Sequence, residues 1–168
     1  EPAEFFACEP KRIEAFKTKK HENLFLALNL KVGKIIDVKK HPNADKLFIE
    51  EVDLGSEKRQ IVSGLAPWYA PEDLLGKKVI IVTNLETAKI RGVESCGMLL
   101  AAENEEGVGV LFVEHAKEGT KVALNNDEPN SNKISFNDFL KVKMEVKEGI
   151  AYFEGKPLLA GHEKVMSE

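Results

Sequence analysis

The chain has 168 residues, 43% hydrophobic and 31% charged, with a formal net charge of −4. That composition excludes a wholly disordered polypeptide and suffices for one well-buried core, or for two small cores sharing an interface. No apolar run approaches the roughly eighteen residues of a membrane span and no basic-plus-apolar signal segment opens the chain, so no membrane partner is expected and the expected location is the cytoplasm.

Residues 1–26 form a polar connector in which Ile13, Phe16 and Lys17 fall at helical spacing. From Leu28 the texture becomes β. Leu30 and Val32 alternate with polar residues, and Ile35, Ile36 and Val38 continue beyond Gly33, where a bulge or sharp bend is expected. A turn at 41–45, holding Pro42 and Asn43, leads to a second strand at 47–54, and a third runs over 59–63. Pro71 followed by Glu72 and Asp73 marks a short helix, and the apolar run after Lys78 is the fourth strand. A polar loop with Asn84, Lys89 and Arg91 precedes a fifth strand at 97–102. Five strands with a helix between the third and fourth is the layout of an OB-fold barrel, so the chain is expected to be mainly β, with residues 27–102 forming that barrel.

Residues 103–168 read as a β-rich extension too small to fold alone, with strands at 108–113, 143–146 and 150–153, a turn at 118–121 and a polar loop at 124–132. Charge divides along the same line: residues 1–102 hold 16 Lys and Arg against 15 Asp and Glu, and residues 103–168 hold 8 against 13. A polyanion should therefore meet the first part of the chain. There Lys31, Lys34, Lys39, Lys40, His41 and Lys46 face only Asp37 and Asp45, although lysines along a strand edge also serve to discourage aggregation.

Catalytic and metal chemistry find no support. The four histidines are scattered, no H-E-x-x-H, G-x-S-x-G, Walker A or dinucleotide-binding glycine pattern is present, and Cys8 and Cys96 lack ligand or redox spacing. Both cysteines read as reduced thiols, Cys96 packed in a strand. Neither a cofactor nor enzymatic activity is expected, and the absence of Met at position 1 reads as a fragment of a longer protein. The loop after the fourth strand is chemically richer. The amide of Asn84 both donates and accepts, Lys89 is a mobile point charge and Arg91 a planar fork suited to phosphate or guanine. The same residues also suit a tight solvated connection, with Gly92 satisfying the turn.

Four motifs, Leu30-Lys-Val-Gly-Lys-Ile-Ile36, His41-Pro-Asn-Ala-Asp-Lys-Leu47, Ile61-Val-Ser-Gly-Leu65 and the run from Val82 to Met98, stand in an order that resembles the tRNA-binding domain of the endothelial-monocyte-activating-polypeptide family. Members include cofactors of the multisynthetase complex and tails of tyrosyl-, methionyl- and lysyl-tRNA synthetases. The resemblance implies a non-catalytic module that binds tRNA by structure and delivers or retains it for a synthetase in cis or in trans. It implies phosphate contacts from Lys89 and Arg91, hydrogen bonds to sugar or base from Asn84 and Ser95, and flanking contacts from Lys34, Lys39, Lys40, His41 and Lys46. Met98 is expected in the core. Glu86 and Thr87 stand where the family often has lysine or proline, which lowers the expected attraction. The extension, with Val142, Met144, Val146, Ile150, Tyr152 and Phe153, resembles the segment that covers the pairing surface of bare-barrel dimers and implies a monomer. A cytokine-like or protein-interaction module is the alternative, since residues 30–36 resemble the region implicated in it. An oligosaccharide or single-strand binder is less favoured, because Trp68 and Tyr69 supply no evident stacking platform.

Overall fold

The structure is a computed structural model that describes residues 27–124 and 132–168. The expected helical spacing in 1–26, Cys8, and most of the loop at 124–132 lie outside the described residues. Three strands, β1 (Leu30–Lys40), β2 (Phe48–Asp53) and β3 (Lys58–Ser63), form an antiparallel meander. A short helix, α1 (Pro71–Leu74), separates them from β4 (Lys78–Val82), as the sequence predicts. Pro71 supplies the first helical φ, and the Asp73 carboxylate accepts from the Ala70 N–H at 3.1 Å. No helix among the described residues is long and apolar enough to cross a membrane.

β1 changes partners along its length. Leu30 to Lys34 pair with β4, and Lys34 to Lys40 pair with β2. The ladder with β2 slips between Ile35 and Asp37, so the bulge falls three residues beyond Gly33, where the sequence placed it. Gly33 serves close approach instead: a Cβ there would sit 2.4 Å from Val52 Cγ1.

The unbroken apolar run of β4 reflects burial on both faces. Val79 and Ile81 join Ile35, Phe48, Val52 and Ile61 in one core, whereas Ile80 and Val82 join Leu30, Val32, Val122, Leu158 and Val165 in the other. Residues beyond 103 therefore complete the second core against strands of the first part. The joining is also by backbone. Strand β9 (Gly107–Val113) pairs with β4, and β10 (Lys121–Ala123) pairs with β1.

The expected fifth strand is two. Strand β7 (Met98–Leu99) lies on β4, and β8 (Ala101–Asn104) lies on β9. The switch falls at Leu100, whose N–H donates to Ile80 O at 3.0 Å while its carbonyl accepts from Leu111 N–H at 3.1 Å. The strand changes partner where β9 takes over the flank of β4. Between β4 and β7, the presumed loop carries its own two-stranded ladder, β5 (Ala88–Ile90) with β6 (Val93–Ser95).

The remaining elements are α2 (Phe136–Leu140), β11 (Met144–Lys147), β12 (Ile150–Phe153), β13 (Lys156–Pro157), β14 (Leu159–Ala160), β15 (Glu163–Lys164) and β16 (Met166–Ser167). The first of these is capped by Ser135, whose Oγ accepts from Asp138 N–H. Along the main path the sheet runs β11-β12-β16-β9-β4-β1-β10-β14-β15, antiparallel and not closed on itself. Glu163 fastens β15 to the segment after β9: its carboxylate accepts N–H bonds from Glu114, His115 and Ala116 at 2.7, 2.9 and 2.8 Å.

Candidate nucleic-acid interface

Val82 to Met98 build a hairpin with a buried neck and an exposed tip. At the neck, Asn84 is 4% exposed. Its Oδ1 accepts from Asn29 N–H at 2.9 Å, and its Nδ2 donates to the carbonyls of Ala27 at 2.7 Å and Asn132 at 2.8 Å. The Thr83 hydroxyl donates to Asn29 O at 2.8 Å. Arg59, one-fifth exposed at its side chain, donates through Nη1 to Thr83 O at 2.5 Å and Cys96 O at 3.2 Å, closing the two sides of the neck. Ser95 is buried as well; its Oγ accepts from Val62 N–H and donates to Gly97 O, each at 3.0 Å. Gln60 adds Nε2 to Glu94 O at 2.8 Å. Buried polar groups need such partners, and these come from residues 27–29 before β1, from β3 and from Asn132.

At the tip, Arg91 and Gly92 have φ of +53° and +90°, the signs a two-residue type I′ turn requires. A β-hairpin with right-handed strand twist favours that turn, and Gly92 meets it without cost, whereas Arg91 is held in the sparsely populated left-handed region. Lys89 stands opposite Glu94 in the ladder, and both are exposed.

The tip is bound to the 41–46 turn by two hydrogen bonds. His41, 4% exposed, accepts Asn43 N–H at Nδ1 over 3.0 Å, so the ring proton sits on Nε2 and is donated to Ile90 O, also over 3.0 Å. Arg91 Nη2 donates to Asn43 O at 3.3 Å. One end of the molecule thus gathers Lys40, Lys46, Lys89 and Arg91 as exposed cations, with Asp45, Glu86 and Glu94 among them.

Of the nine expected site residues, His41 and Arg91 each hydrogen-bond across the junction of turn and hairpin, to Ile90 O and Asn43 O, and Lys40, Lys46 and Lys89 lie on the strand ends and turn that these bonds join. His41, Asn84 and Ser95 are turned inward, their polar atoms used by the chain itself. Lys39 is exposed and lies 3.6 Å from Asp37. Lys34 sits between its ladder partners Asp53 and Lys78, about 20 Å along the strand from Lys40, away from the tip. Arg59 and Gln60 were not foreseen, because their partners lie 24 to 37 residues away in sequence.

A further ionisable group lies beneath β2. Glu50 is fully buried, accepts the Ser63 hydroxyl at 2.5 Å through Oε2, and has no partner for Oε1 among the described residues. Burial pushes its carboxyl up from 4.5 to about 7, against the opposing effect of the Ser63 hydrogen bond.

Residues 30–121 match the family described as "Putative tRNA binding domain". Over 99 residues, 58% of this chain, the sequence is 60% identical to methionine–tRNA ligase of Pyrococcus horikoshii, and the match spans 14% of that ligase. The fold is similar to the C-terminal domain of Plasmodium vivax p43, with a TM-score of 0.79 at 28% identity, covering 85% of this chain and 93% of that one. It is also similar to the MetRS related protein from Pyrococcus horikoshii, with a TM-score of 0.56 at 42% identity, covering 59% of this chain and 93% of that one.

Proposed function

The chain belongs to the family of tRNA-binding domains, and from that premise we propose that it is a non-catalytic module that holds tRNA for an aminoacyl-tRNA synthetase. The observation that carries this reading is the joined end of the molecule, where His41 and Arg91 cross-link the 41–46 turn to the hairpin and bring Lys40, Lys46, Lys89 and Arg91 to one rim. A rim of separated cations on a rigid β support suits the sugar-phosphate backbone of a folded RNA, which positions a ligand without reading its sequence. Arg91 and Lys89 take phosphates. His41, Asn84 and Ser95 act as positioning residues, since their polar atoms already have partners within the protein.

Binding tRNA beside a catalytic unit raises its local concentration there, and the relation to a methionine–tRNA ligase supports a synthetase as that unit, in cis or in trans. The reading takes β1–β4 with β7 as an OB-type barrel, the extension as the cover of the surface on which bare barrels would pair, and the working state as a cytoplasmic monomer. The apolar faces of Ile80 and Val82, filled by residues beyond 103, support the covering role.

The test is the salt dependence of tRNA binding. With four cations engaged, the logarithm of the binding constant should fall by about 3 to 4 per tenfold rise in salt. A slope near zero would remove the rim from the interface.

A further inference from the structure

The opposite character gathers on another part of the molecule. A groove of about 940 Å³ opens between the β8–β9 hairpin, α2 and β11, with Leu100, Val108, Leu111, Val142 and Met144 among its lining residues. Glu103, Glu106, Glu145 and Glu168 also line it, and among the described residues no lysine, arginine or histidine does. Glu168 is neutralised by Lys77, and Glu145 lies 3.5 Å from Lys147 on the surface; Glu103 and Glu106 have no ion pair among the described residues.

Apolar surface is left open here. Of the five exposed large hydrophobic residues among the described residues, Trp68 and Val146 line the groove, and Phe136 and Leu140 lie on α2, whose Phe139 lines it. A concentration of exposed apolar side chains rimmed by one charge marks a docking surface rather than ordinary scatter. Trp68 is 51% exposed, and the backbone of Gly107 seats its ring, since a Cβ at that glycine would lie 3.0 Å from Trp68 Cζ3. The indole is therefore held in place with half its surface free, as a binding anchor needs.

Backbone also faces the groove. Among the described residues β8 pairs only with β9 and β11 only with β12, so each contributes a strand edge open among those residues to the groove walls. We propose that this groove docks an extended, cationic segment of another protein, which adds as a strand along β8 or β11, seats apolar side chains beside Trp68, and sets Lys or Arg against Glu103, Glu106 and Glu145. Strand addition supplies main-chain hydrogen bonds, and alternate side chains supply selectivity. Charge complementarity decides the class of partner. The glutamates repel RNA phosphates and match a basic peptide, so the rim and the groove, which share no residue, can be filled at once by unlike ligands.

The experiment is selection of a displayed library of random decapeptides on the full chain, followed by titration of the selected synthetic peptides. Selected sequences should alternate apolar residues with Lys or Arg, and binding should shift the emission of Trp68, the one tryptophan present, to shorter wavelength. The E103K/E145K variant, altered at exposed positions, should bind them at least about tenfold more weakly while its tRNA affinity stays within about twofold. Amide exchange in β8 or β11 should slow in the complex. Absence of enrichment, enrichment of acidic peptides, or undiminished binding by E103K/E145K would overturn the proposal. So would displacement of the peptide by tRNA, or a concentration-dependent dimer lost in E103K/E145K, which would make a second copy the occupant. Because tRNA binding is measured in parallel, failure here is distinguishable from failure of the rim.

Discussion

Asn84 and Arg91 belong to one hairpin, yet the neck and the tip obey opposite rules. At the neck, polar atoms are buried and every partner is supplied by the protein. At the tip, side chains are exposed, the backbone of Arg91 is held at positive φ, and among the described residues a single 3.3 Å bond engages its guanidinium. The difference teaches that chemical type does not locate a binding residue. An amide able to meet RNA is equally able to fasten three chain segments, and what separates the two uses is whether its polar atoms are already spent.

The comparison can be broken most forcefully at the neck. Asn84→Ala removes one acceptor and two donor contacts and leaves Asn29 N–H and two carbonyls short of partners, at a cost of about 3 kcal/mol or more in urea unfolding. A loss below about 1 kcal/mol would mean that the neck is not the fastening described.

Glu50 tests the same rule of burial at a third place. Its folded value of about 7 lies above the 4.5 of an ordinary carboxyl, so between these pH values the folded chain retains a proton that the unfolded chain has released. Stability contributed by this group is therefore full below pH 4.5 and is lost as pH rises through about 7, by on the order of 3 kcal/mol. Glu50→Gln should flatten that part of the stability profile and make the protein firmer at pH 8. An unchanged profile would show that the carboxyl is solvated.

At the tip, the Lys89→Glu, Arg91→Glu double variant should weaken tRNA binding by about 100-fold, roughly 3 kcal/mol, and lower the salt slope by about 1.5 to 2. Its unfolding free energy should stay within about 0.5 kcal/mol of the parent, since both side chains are exposed. Loss of stability with retention of binding would invert the assignment of neck and tip. The smallest effect is expected at Lys34→Gln. Displaced along β1 from the rim, this residue should change tRNA affinity less than about twofold. A tenfold loss would extend the interface down the strand.

Much of this was legible beforehand, for reasons of range. Alternation in β1, the proline-acidic start of α1 and the turn at 41–45 are decided within a few residues, so they can be read from spacing. The hairpin is partly legible: residue type marks its cations, but the residues on either side of Arg91-Gly92 read as loop, whereas they pair as β5 and β6. The divided fifth strand could not be read, because the change from β4 to β9 at Leu100 depends on a strand that follows later. Residues 30–36, which the cytokine-like alternative would display, are mostly buried in the two cores, a placement set by segments on both sides.

By itself, the sequence determined the local things: a mainly β chain, an apolar strand in the run Val79-Ile-Ile-Val82, and a cationic turn and polar loop. Tertiary structure alone decided which polar residues face inward. Withdrawing Asn84, Ser95, His41 or Glu50 from water must be offset by partners, and for Asn84 these stand 48 to 57 residues away in the chain. Only folding brings such partners within 3 Å, so neither residue type nor spacing could separate the side chains that hold the hairpin from those that it offers.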